Sequence, residues 1–95
     1  MINWGIIGLG RMGNTFADAI KELKDCKLKA ISSLNKSKLS TFSKKYNVDQ
    51  NYIFSSYDQL INCKDIDAIY ISTLNNTHKD LIIKSIENHK HVLCE

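Results

Sequence analysis

Three glycines constrain this chain more than any other feature. In Gly5-Ile6-Ile7-Gly8-Leu9-Gly10-Arg11-Met12-Gly13 an apolar run leads into Gly8, Gly10 and Gly13 at the G-x-G-x-x-G spacing, and an amphipathic helical pattern follows. At that spacing the first glycine allows a tight turn out of a strand. The second lets a pyrophosphate approach the backbone, and the third lets the new helix pack closely on the sheet. The helix start offers unpaired N–H groups and a partial positive charge, which phosphate satisfies. A plain strand-to-helix turn has the same glycines, so the flanking strand and helix carry the inference. Within the turn, Leu9 links the glycines and Arg11 and Met12 are placed over the pyrophosphate, with a solvated charge as the other reading of Arg11.

The remainder alternates between strand and helix patterns. Asn3 to Ile7 reads as the first strand, and Met12, Phe16, Ile20 and Leu23 fall on one helical stripe opposite Lys21, Glu22, Lys24 and Asp25. A second strand starts at Cys26 and completes a β-α-β unit by Ser33. Asn35 is the expected N-cap of a helix that buries Leu39, Phe42 and Tyr46, and Asn47 is expected to close it in the left-handed conformation. Asn51 to Phe54 is a short strand. Ser56-Tyr57-Asp58-Gln59 has the form of a capping box opening a short helix through Leu60 and Ile61. Ala68 to Ile71 is an unbroken apolar run, as in a strand buried on both faces. A helix opening at Thr77-His78-Lys79-Asp80 turns Leu81, Ile82, Ser85 and Ile86 inward and ends at Asn88 or His89, before a last strand His91 to Cys94. This alternation implies parallel pairing and right-handed crossovers. The expected fold is α/β: a doubly wound, five-stranded parallel sheet of order 3-2-1-4-5, a Rossmann-type dinucleotide-binding domain.

Ninety-five residues allow one domain at most. Apolar residues at 43% and charged residues at 24% are globular values, and no apolar run is long enough to cross a membrane. The chain enters a strand at once, without a charged leader or cleavage site, so a cytoplasmic location is expected. Cys26, Cys63 and Cys94 are odd in number, widely spaced and without C-x-x-C, which points to reduced structural thiols rather than a disulfide framework or zinc site. A net charge of +3, with lysines spread over helix faces, does not make a nucleic-acid surface. No metal site is expected either: His78 has no second ligand at i+4.

Cofactor choice is read at the end of the second strand, where a carboxylate about twenty residues past the last glycine binds the ribose 2′-hydroxyl of NAD. That position holds Ser33, which does not repel a 2′-phosphate, and Lys36 and Lys38 lie at the next helix start to attract one. NAD and NADP both remain open, with the balance slightly towards NADP.

Two further segments extend the glycine motif. Tyr70-Ile71-Ser72-Thr73-Leu74-Asn75-Asn76-Thr77-His78 and Lys90-His91-Val92-Leu93-Cys94-Glu95, together with Gly5 to Gly13, resemble the Gfo/Idh/MocA family (glucose-fructose oxidoreductase and inositol dehydrogenase) over essentially the whole chain. The first looks like the family's Thr-Pro-Asn with a histidine three residues on, Leu74 replacing the proline; the second matches the run into its Glu-Lys-Pro, and the chain stops before that lysine. The resemblance implies a two-domain NAD(P)-dependent oxidoreductase acting on sugars, polyols and diols, with the substrate held mainly by a C-terminal α+β domain outside residues 1–95. It further implies that Thr73, Leu74 and Asn75 contact the ribose and nicotinamide side of the cofactor, that His78, in the first helical turn after them, belongs to the same cofactor-binding set, and that Glu95 lies near the nicotinamide. Loop and cap chemistry is the alternative at 73–75, and a frayed terminal charge at Glu95. The arginine that NADP-using relatives often place after the serine is Leu34 here.

The segment alone is expected to bind dinucleotide and to carry no catalytic residue, so a small-molecule substrate is a partner of the full-length protein only. The alternatives are a β-hydroxyacid dehydrogenase-type domain, which shares Gly8 to Gly13 but does not account for Thr73 to His78, and a non-catalytic binding module. A bare last strand is also expected to template homo-oligomers.

Overall fold

The structure, a computed structural model, describes residues 1–73 and 75–94, with the side chains of residues 75–77 outside that description. The elements are β1 (Ile2–Ile7), α1 (Arg11–Ile20), β2 (Cys26–Ser32), α2 (Lys36–Tyr46), β3 (Ile53–Phe54), α3 (Tyr57–Ile61), β4 (Ala68–Ile71), α4 (Asn75–Glu87) and β5 (His91–Cys94). The strands form one sheet of order β3-β2-β1-β4-β5, and every neighbouring pair is parallel. The expected topology is the observed one.

Strand alternation sends successive residues to opposite faces, so Ile6 and Ile7 serve two cores. Ile6, Ile31 and Tyr70 meet Leu9, Ala17, Leu39 and Phe42 beneath α1 and α2. Ile7, Ala30, Ile69 and Ile71 meet Leu60, Ile61, Ile66 and Leu81 beneath α3 and α4. Each fully buried isoleucine contributes on the order of 2 kcal/mol. Phe16 stacks on Tyr70 at 4.1 Å between ring centroids and meets Trp4 edge-on at 4.9 Å, a column of rings that seats α1 on the sheet.

The register aligns the strand ends. Phe54 pairs with Ser32, Ser32 with Ile7, Ile7 with Ile71 and Ile71 with Cys94, so all five strands finish on one row. Loops leaving this row from β1 and β4 carry the first two motifs, and β5 is itself the body of the third. At the opposite end, the Lys90 ammonium donates to the carbonyls of Cys63 and Ile66, closing the loop between α3 and β4.

Several local expectations are corrected. Helix α1 stops at Ile20, leaving Leu23 beyond it and 54% exposed, and Met12 is 41% exposed. Ile20 is buried as expected, and beside it Gly13 and Ala17, by their small size, let the helix backbone come close to the sheet. The third strand is only Ile53–Phe54, because Gln50–Tyr52 form a 3-10 turn capped by the Asp49 side chain. Ser56 does precede α3, but its side chain makes no capping bond. Helix α4 starts at Asn75, before Thr77, and buries His78, Leu81 and Ser85 while Ile86 is 59% exposed. Asn35 caps α2 by accepting from the Lys38 N–H at 3.2 Å, and Asn47 closes it at φ 54°. His89, at φ 62°, takes the left-handed position after α4.

Candidate functional site

The glycine turn sits on the row of strand ends. Gly8 has φ +89°, a conformation that favours glycine, and a Cβ there would come within 2.9 Å of the Thr73 methyl. Its N–H donates to the Ser32 carbonyl at 3.0 Å, and its own carbonyl accepts the Ser72 hydroxyl at 2.6 Å. The turn is thereby stitched to both neighbouring strands. Gly10 is different: a Cβ built on it meets no protein atom within 4 Å. The protein itself does not demand glycine at this position, and the space beside it is open.

Gly10 is also the N-cap of α1, so it offers no side chain to the first turn, and that turn contains no acidic residue. Asn14 returns its N–H and its side-chain amide to the Gly10 carbonyl at 3.2 and 3.1 Å. The N–H donors ahead of Asn14 end a ten-residue helix whose positive pole points at the cleft. Leu9 is buried beneath the turn, while Arg11 and Met12 are exposed above it.

Gly8, Leu9, Gly10, Lys38, Tyr57, Ser72 and Thr73 line one cavity of about 360 Å³. Lys38 also borders a second cavity of about 240 Å³ between α1 and α2, with Asn14, Asn35 and Lys45 on its rim and Leu9 and Phe42 in its floor. Lys38 therefore borders both cavities, between the glycine turn and the start of α2. Ser33 is 6% exposed, and its hydroxyl oxygen accepts the Asn35 N–H at 3.1 Å, which shapes the loop into α2; Leu34 projects outward at 73% exposed.

His78 is 8% exposed, and both ring nitrogens meet protein atoms: Nε2 lies 2.6 Å from the Thr73 carbonyl and Nδ1 2.9 Å from the Cys94 sulfur. The structure thus brings Gly8, Leu9, Gly10, Lys38 and Thr73 together around the cleft, while Gly13 packs on Gly8 beneath it and Ser33, just after β2, lines neither of the two cavities. His78 touches the wall of the cleft from behind. Leu74, Glu95 and the side chain of Asn75 lie outside the described residues.

Tyr57 is the site residue the sequence did not single out. Its place in an apparent capping box hid the fact that α3 opens beside the cleft. The ring is half-buried, and burial pushes its phenol above the ordinary tyrosine range. Behind α2, the Tyr46 hydroxyl donates to Asp18 at 2.7 Å and lies 3.2 Å from the Asn14 carbonyl, tying α2 to the first turns of α1. Burial, then Asp18, raises Tyr46 to about 12, and the same bond lowers Asp18.

Known proteins share this arrangement. A trans-1,2-dihydrobenzene-1,2-diol dehydrogenase of Xenopus tropicalis is 32% identical over 94 residues, covering 97% of this chain and 28% of its own length. A myo-inositol 2-dehydrogenase of Thermotoga maritima is 35% identical over 91 residues, covering 96% and 27%. Among solved structures, scyllo-inositol dehydrogenase from Lactobacillus casei with bound NAD(H) and scyllo-inositol superposes with a TM-score of 0.91 at 30% identity, over 99% of this chain and 27% of the other. The chain therefore spans a little over a quarter of the length of these relatives. The sequence model described as "Oxidoreductase family, NAD-binding Rossmann fold" matches residues 2–95, and the chain belongs to this GFO_IDH_MocA family.

Proposed function

We infer that residues 1–95 are the dinucleotide-binding domain of an NAD(P)-dependent oxidoreductase that moves a hydride to or from a hydroxyl-bearing carbon of a sugar, polyol or diol. The observation that carries the reading is the cleft at Gly10: an open space at the uncapped, acid-free start of α1, walled by Lys38 and Thr73. The glycine turn and α1 hold the pyrophosphate. Ser33 and Lys38 face the adenosine ribose, and Thr73 with the loop after it faces the nicotinamide half, towards which Asn75 and Glu95 are assigned by the family motifs. The cofactor, when bound, supplies the hydride chemistry; this chain's residues bind and orient it and exclude water from one side. Substrate and the proton-transfer groups belong to parts of the protein beyond residue 95, as the relatives' length supports. Ser33 in place of a carboxylate, with Lys38 at the start of α2, favours NADP over NAD.

Calorimetric titration with NADH and NADPH tests the reading. Binding of either, lost in Gly10→Val, is the expected result; equal affinity in the variant would remove the site from Gly8–Gly13.

Two wider readings go with it. The protein is cytoplasmic, where dinucleotide is plentiful and Cys26, Cys63 and Cys94 stay reduced. It self-associates through β5, whose pairing among the described residues is with β4 alone and whose Leu93 is 48% exposed. Sedimentation as a monomer at micromolar concentrations would overturn the association.

A further inference from the structure

We propose that His78 is a positioning residue for the dinucleotide cleft, holding Thr73 in place through one ring nitrogen while the other anchors the ring to β5. This rests on the dinucleotide reading above. A buried imidazole must satisfy both nitrogens, and its two partners here are chemically unlike. A carbonyl oxygen can only accept, so the contact of Nε2 with Thr73 at 2.6 Å places the proton on Nε2. In the neutral ring Nδ1 is then an acceptor, and the Cys94 thiol 2.9 Å away donates to it. The tautomer is thus fixed by the strand-four side and the ring orientation by the strand-five side.

What is held is a wall of the cleft. The Thr73 methyl is the atom that a Cβ at Gly8 would strike, the adjacent Ser72 hydroxyl binds the Gly8 carbonyl, and both residues line the cavity that contains Gly10. An imidazole committed on both sides has no nitrogen left for the dinucleotide. Its effect on binding passes through Thr73.

The two nitrogens can be separated by substitution. A glutamine amide reaches the Nε2 position and can donate to Thr73, whereas an asparagine amide reaches only the Nδ1 position, towards Cys94. The expected results are that His78→Gln binds NADH or NADPH within about threefold of the parent, while His78→Asn loses about tenfold or more, the effect of one lost hydrogen bond on a buried carbonyl. The ring's nitrogen NMR signals in the unsubstituted protein give an independent reading, and the Nε2–H tautomer is expected. An Nδ1–H tautomer, or equal losses in the two variants, would overturn the positioning role. If the unsubstituted protein bound neither dinucleotide, the reading of the cleft itself would fall instead. Should His78→Gln fail to fold, the tautomer measurement still decides.

Discussion

Gly13 packs against the carbonyl oxygen of Gly8 so closely that a Cβ at position 13 would lie 2.9 Å from it, with the Ser72 hydroxyl at 3.3 Å. The helix and the turn are in backbone contact there. Gly8→Ala and Gly13→Ala are therefore expected to destabilise the protein, the first by about 1–2 kcal/mol from its left-handed backbone alone. Gly10→Val meets open space and carries only the N-cap difference of about 1 kcal/mol or less. Denaturant midpoints measured beside dinucleotide titrations should separate the two classes: stability loss at 8 and 13, binding loss without comparable destabilisation at 10.

At the end of β2, a carboxylate would face any 2′-phosphate. Ser33→Asp is expected to weaken NADPH binding by on the order of 1–3 kcal/mol relative to NADH. Ser33 also shapes the loop through the Asn35 N–H, a bond an aspartate oxygen can replace, so melting should change little. An unchanged ratio of NADH to NADPH affinities would place the adenosine ribose elsewhere.

The Asn35 cap can be tested without a ligand. Asn35→Ala removes the acceptor for the Lys38 N–H and should cost about 1 kcal/mol, read as a lower denaturant midpoint with unchanged slope. Asn35→Asp keeps the acceptor and should restore most of it. Failure of the aspartate to rescue would mean the asparagine acts by some other contact.

Alkali should weaken the fold through Tyr46 and Tyr52, with half-buried Tyr57 acting in the same direction. Tyr46 is raised to about 12 chiefly by burial, and Tyr52 to about 12 chiefly by its bond to Asp65 at 2.7 Å, against an ordinary 10.0. A raised folded value means that the contribution is fully present below pH 10 and is lost as pH rises through about 12. Stability should thus decline across that window, and Tyr46→Phe should flatten part of the decline. At the acid end Asp18, lowered mainly by the Tyr46 hydroxyl, contributes above its ordinary 3.8 and loses that contribution as pH falls through its folded value.

Local chemistry was legible in the sequence, and distant contacts were not. Asn35 and Asn47 were readable because a cap and a left-handed closure depend on a few neighbouring residues. The strand order followed from alternation, and the family from three spaced motifs. The buried side of α1 was legible at Gly13, Phe16 and Ile20, but Ala17 was missed because it carries little hydrophobic signal, although its small size helps bring the helix onto the sheet. Met12 and Leu23 have the signal without the position. Tyr57 was hidden by a local pattern with another meaning. The meeting of His78 with Cys94 depends on α4 opening beside the end of β5, a fact of tertiary geometry that a separation of 16 residues does not spell out.

The flush ending of the five strands separates two kinds of evolutionary change. Residues up to Phe54, Ser32, Ile7, Ile71 and Cys94 answer to pairing and packing, whereas Gly8 and Ser72, the next residues after β1 and β4, already line the cleft at Gly10. Under the function proposed above, exchanging Ser33 or Leu34 would alter which dinucleotide is preferred while every isoleucine beneath keeps its neighbours. Lengthening or recolouring a loop leaves the pairing row untouched, since no strand must slide to accommodate it. A domain built this way is a socket of constant shape, and the relatives that share its sequence pattern include both an inositol and a diol dehydrogenase.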